Sequence, residues 1–118
     1  MEETRNILKE FLKVEGVIVA ALVSFDGFLI DGVGPQGVDL EDMAVAASTG
    51  YGLGKRLGEN IQGGDIKQIM LEYEKRSVIV AKVPFVDVIL FLVSEEGANL
   101  GAIRYSIKKH AGELSKVL

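Results

Sequence analysis

TGYGLGKRLG, residues 49–58, carries four glycines and a Gly-Lys pair within ten positions. Two very different domains could contain it. If the glycines bend a loop around phosphate, the chain binds nucleotide. If they line a helix, the chain is built for close contact. A phosphate loop of the Walker type needs G-x-x-x-x-G-K-[S/T] directly after a strand. Here Gly50 and Gly54 are only four positions apart, and Arg56 stands where the metal-binding hydroxyl belongs. The residues before them read as helix, not strand. The dinucleotide pattern G-x-G-x-x-G fails too, because Gly50, Gly52 and Gly54 alternate.

The helical reading fits. At about 100° per residue, Leu40, Met43, Ala47, Gly50, Gly54, Leu57 and Ile61 share one face, bordered by Ala44 and Gly58. Glu41, Lys55, Arg56 and Glu59 point away from it. Each helical glycine costs about 1 kcal/mol relative to alanine, so several in one helix ask for a compensating gain. A missing side chain lets another backbone come close. That backbone belongs to this chain's own sheet or to a second chain's helix in a symmetric dimer. The expectation is that both are used.

Working outward, Asp39 caps the helix, and Glu41 and Asp42 suit its positive end. The helix runs to about Asn60, and Gly63-Gly64-Asp65 stops it. Upstream, Ile7, Leu8, Phe11 and Leu12 mark a first helix that Gly16 ends. Val17–Val23 is apolar at every position, which predicts a strand covered on both faces. Asp26-Gly27 reads as a type I′ hairpin turn leading into a returning strand at Phe28–Val33. Downstream, 66–74 and 77–83 read as strands joined by a tight turn near Lys75-Arg76. Pro84 breaks the second, and 86–93 is the last strand. A final helix carries Leu100, Ile103, Ile107, Ala111, Leu114 and Leu118 on one stripe. The order is α-β-β-α-β-β-β-α. Short links between strands predict an α+β domain with a mostly antiparallel sheet and packed helices, occupying residues 1–118 as a single unit.

Composition narrows the function. Apolar residues make up 48% of the 118, and mean hydropathy is +0.28. That surplus suits a chain whose surface is partly covered by a partner. The net charge of −4, without a basic run, argues against nucleic acid. There is no cysteine, so disulfides, thiolate metal sites and cysteine nucleophiles are excluded. The N-terminus lacks the pattern of a signal peptide. The most apolar run, 86–93, is too short to span a bilayer. A cytoplasmic protein without membrane insertion is expected. His110 stands alone, with no ligand set around it, and no metal or cofactor is expected. Asp26 is explained by its turn, Asp31 lies on an outer strand, and Glu72 and Glu74 end a strand at a turn, so paired catalytic acids are not expected. Arg104, Lys108 and Lys109 read as a solvated helix face.

The segment order, with VEGVIVAALVSFDGFLI, LEDMAVAAS, GGDIKQIMLEYEKRSVIVAKV and above all ANLGAIRYSIKKHAGEL, resembles the Roadblock family of dynein light chains and bacterial or archaeal GTPase regulators. The resemblance covers nearly the whole chain. It implies a profilin-like, five-stranded antiparallel sheet with the first and last helices on one face and the second on the other. It also implies a homodimer formed through the second helix and the third strand. On this chain that interface would use Met43, Ala47, Gly50, Gly54, Leu57 and Gly58, with Ile66, Ile69, Met70 and Leu71 on the strand. By the same resemblance the partner is a small Ras-like GTPase, and no residue here is assigned a catalytic role. Lys55, Arg56 and Glu59 are the candidate partner-binding residues. Two alternatives stand beside this: a structural adaptor without effect on GTP hydrolysis, and a small-ligand sensor.

Overall fold

The computed structural model describes residues 2–118. The elements, in chain order, are α1 (Glu2–Leu12), β1 (Val17–Ser24), β2 (Leu29–Val33), α2 (Leu40–Asn60), β3 (Ile69–Glu72), β4 (Arg76–Lys82), β5 (Val88–Glu95) and α3 (Leu100–Val117). The strands form one antiparallel sheet in the order β2-β1-β5-β4-β3. The expected α+β architecture is present.

Strand apolarity decides position in this sheet. β1 and β5 are apolar on both faces, and they lie inside, sandwiched between helices. Alternate β5 residues serve different cores. Leu90 and Leu92 join Leu8, Phe11, Leu22 and Ile103 beneath α1 and α3. Ile89, Phe91 and Val93 join Val19, Ala21, Ala44 and Tyr51 beneath α2. Of the α3 stripe, Ile103, Ile107 and Leu114 are buried, while Leu118 follows the helix and is exposed.

Local chemistry sets the ends. Asp39 accepts a hydrogen bond from the amide of Asp42 at 3.0 Å, and Asn99 accepts one from that of Ala102 at 3.1 Å. Each satisfies a donor that a helix start leaves free. Gly16, at φ +90°, closes α1 against the β5–α3 loop, where an added Cβ would lie 2.7 Å from Cβ of Ala98.

Several boundaries differ from the sequence expectation. In the Asp26-Gly27 turn only Gly27 has positive φ. The Gly27 amide donates to Ser24 O at 3.0 Å, and the Ser24 amide to Phe28 O at 2.9 Å. The loop therefore holds three residues ending on a left-handed glycine, not a two-residue type I′ turn. Phe28 lies outside β2. β3 is only Ile69–Glu72, so Ile66 precedes the ladder. The Tyr73 amide donates to Arg76 O at 2.8 Å, which places the β3–β4 turn at Glu74-Lys75, one residue early. β5 begins at Val88, two residues later than expected, after a loop in which Phe85 takes φ +66°.

Asp31 is explained by pairing. It sits buried on β2, and its carboxylate faces the Arg5 guanidinium of α1. Arg5 Nε donates to Oδ2 at 3.4 Å, while Oδ1 also accepts the Gly32 amide at 2.8 Å. The hydrogen bond to Asp31, and then its charge, raises the pKa of Arg5.

Candidate interaction surface

α2 packs on the sheet through Leu40, Met43, Ala44, Ala47, Tyr51 and Gly54, and Gly58 sits against the Gly64 carbonyl of the following loop. This face is rotated from the expected one. Ala44, placed at the border by the sequence reading, is central, and Gly50 and Leu57 turn outward. The reason is Tyr51. Its ring fills the space between helix and sheet, and the small Ala47 and Gly54 beside it let the helix settle.

The glycines divide into two groups. A Cβ on Gly54 would stand 3.1 Å from Cδ1 of Ile69 and 3.3 Å from Cδ1 of Ile66. One on Gly58 would stand 3.4 Å from Gly64 O. These two serve contacts inside the chain. Gly50 and Gly52 face nothing within 4 Å.

Beside Gly50 runs an uncovered apolar stripe: Leu53, Leu57 and Ile61 are 63%, 59% and 67% exposed. β3 is the last strand of the sheet, so its outer N–H and C=O groups are unpaired. Leu71 of β3, and Tyr73 just after it, border the groove beneath α2 and are also exposed. Between helix and strand lies a groove of about 300 Å³ with Met43, Ala46, Gly50, Tyr51, Leu71 and Tyr73 in its walls. Ile66 and Ile69 are half-buried under Gly54. Met70 faces the other way and packs against the core beneath α1 and α3. The sequence reading missed Tyr51, Leu53 and Tyr73. The signal for Tyr51 was present, since Ala44, Tyr51 and Gly58 repeat every seventh residue.

Lys55 and Glu59 border a smaller cavity of about 140 Å³, shared with Phe25, Tyr51, Asp65 and Lys82. Lys55 Nζ lies 5.8 Å from the Phe25 ring centroid, and that ring stacks on Tyr51 at 5.3 Å. Burial, and then the charge of Asp65, raises the Tyr51 hydroxyl above its ordinary pKa. Arg56 is exposed and does not line this cavity, while its i, i+3 spacing sets it beside Glu59 on the surface of α2.

His110 packs edge-on against Phe11, centroids 5.5 Å apart, with Nδ1 3.1 Å from Glu113 Oε1. That is a structural setting. Among the described residues no group of three His, Cys, Asp or Glu side chains could hold a metal ion. None of their helices is long and apolar enough to cross a membrane.

Residues 3–93 match the family model described as the Roadblock/LC7 domain. The chain belongs to this family. Its α3 lies beyond that match, but solved Roadblock structures extend over it. A Roadblock/LC7 domain from Streptomyces avermitilis superimposes with a TM-score of 0.87 at 21% identity, covering 94% of this chain and 93% of that one. MglB of Myxococcus xanthus gives 0.90 at 24% identity, covering 98% and 87%. The gliding protein MglB of Thermus thermophilus gives 0.86 at 19%, covering 98% and 88%. At these identities the likeness is one of fold. No curated protein matches the sequence.

Proposed function

We propose that this Roadblock domain, a single unit over residues 1–118, is a cytoplasmic homodimer that acts as a non-enzymatic regulator or scaffold for a small Ras-like GTPase. One observation carries the dimer: the exposed stripe Leu53, Leu57 and Ile61 lies beside an unpaired β3 edge bearing Leu71 and followed by Tyr73. A second copy would cover both at once. Pairing of two β3 edges would join the sheets, and Gly50 would admit the neighbouring helix. Met43, Ala47 and Ile69 would support that contact from beneath. The GTPase partner follows from the family resemblance. Nucleotide would then reside in the partner, since this chain has no phosphate loop. Arg56, exposed on the outer face of α2, remains a candidate contact to that partner.

The test is capture from the source organism's lysate, once with a non-hydrolysable GTP analogue and once with GDP. Retention of a Ras-like GTPase supports the reading, and its hydrolysis rate with and without this chain separates regulator from adaptor. Absence of any GTPase under both conditions overturns it. The groove of about 300 Å³ favours a second reading, a small-ligand sensor, because it reaches the size range of ligand pockets. A small molecule released on denaturing the purified protein would support that instead.

A further inference from the structure

On the side of α2 away from β3, the β1–β2 hairpin tip and the start of α2 enclose a shallow groove of about 440 Å³. Its walls are Asp26, Gly27, Phe28, Leu29, Glu41 and Val45. Phe28 is 70% exposed and Val45 55% exposed. Lone exposed apolar residues are ordinary, but Phe28 is held in place. Its amide donates to Ser24 Oγ at 3.1 Å, and its carbonyl accepts from the Ser24 amide at 2.9 Å. The preceding Gly27 is at φ +93°, and a Cβ there would lie 3.0 Å from Ser48 Oγ of α2. The hairpin tip is therefore seated on the helix, and an aromatic ring projects from a fixed backbone. A backbone already held in place loses little freedom on binding, and aromatic side chains carry much of the energy of protein interfaces.

Charge selects the occupant. Asp26 and Glu41 are the charged residues of the walls, and no Lys or Arg is among them. Asp39 and Asp42 add further negative charge at the same helix start. An acidic rim around an apolar knob repels anionic lipid headgroups and nucleic acid, and complements basic side chains.

We propose that this groove docks a segment of a partner protein in which an apolar side chain is flanked by Lys or Arg. The apolar side chain lies against Phe28 and Val45, and the basic groups meet Asp26 and Glu41. The site is separate from the α2–β3 stripe and stands whether or not the chain dimerises through that stripe.

The test is a titration of the isotope-labelled full chain followed by amide chemical shifts. The probes are a short peptide alternating Lys with Leu, a matched peptide alternating Glu with Leu, and vesicles containing an anionic phospholipid. The expected result is saturable shifts at 26–29 and 41–45 with the basic peptide alone. Phe28→Ser and Glu41→Lys each weaken binding about tenfold. Both residues are exposed, so the variants keep the native spectrum, and Val45→Ser provides a second variant on the apolar wall. The proposal is overturned if no shifts occur, or if Phe28→Ser binds as the parent does. Equal shifts at the acidic loop Glu95-Glu96 would show charge attraction only, and a preference for vesicles would show a membrane surface. Either would also overturn it.

Discussion

Gly54 of α2 lies over Ile69 of β3, so close that a Cβ on the glycine would meet Cδ1 of Ile69 at 3.1 Å. The contact joins the helix to the edge strand within one chain. Gly50, one turn earlier, faces nothing within 4 Å. Two glycines in one helix thus serve different ends: Gly54 fits this chain's own core, and Gly50 leaves room for something outside it.

Substitution at Gly54 should report on the fold. Gly54→Ala gains up to about 1 kcal/mol of helix propensity. Against this, the flexible ends of Ile69 and Ile66 must yield a few tenths of an ångström, so the net change stays within about 1 kcal/mol. Gly54→Glu forces a charge into the half-buried helix–strand contact and should give insoluble or largely unfolded protein. Urea denaturation checks both. A soluble Glu variant of parental stability would show that the helix does not sit on β3 as described.

Asn99 should matter more than its exposure suggests. Its side chain caps α3 through the Ala102 amide. Asn99→Ala should cost about 1 kcal/mol, a fall of about 4 °C in Tm for a domain of this size. Asn99→Asp should be close to neutral, because the carboxylate caps equally well. Calorimetry of the two variants tests this. Equal losses would mean that the cap is not formed.

Tyr51 should make the fold sensitive to alkali. Burial and the Asp65 charge raise its pKa in the folded state. The folded chain then holds the phenolic proton more tightly than the unfolded chain. Its contribution is fully present below the unfolded tyrosine value of about 10, and is lost as pH rises through the folded value. Tyr51→Phe should unfold less readily than the parent above that pH, relative to each protein's own stability near neutrality. Urea midpoints across the alkaline range would decide it. Parallel pH curves for the two proteins would contradict the burial of Tyr51.

Much of the fold was legible because local signals agreed. Uniform apolarity marked β1 as an inner strand, Asp39 announced a helix start, and Gly27 announced a hairpin. The orientation of α2 was not legible. A helix with apolar residues on a sheet-facing side and on an outer side has no single apolar stripe, so Leu57 and Gly50 were merged with Gly54. Only the space the Tyr51 ring occupies distinguishes the two sides. Type I′ geometry was over-read at Asp26-Gly27, because a three-residue loop needs only its glycine at positive φ. The Arg5–Asp31 pair joins residues 26 apart in sequence, and no local pattern marks it.

In the proposed dimer two copies meet through the outer side of α2 and the β3 edge. Sedimentation of the parent and of Leu57→Glu over a range of concentrations tests it. Leu57 is 59% exposed in the single chain, so the variant should keep its fold. The parent should sediment at twice the 12.7 kDa chain mass, and a folded Leu57→Glu variant at one chain mass. A parent that sediments as one chain throughout, or a Leu57→Glu variant that remains a dimer, would contradict it.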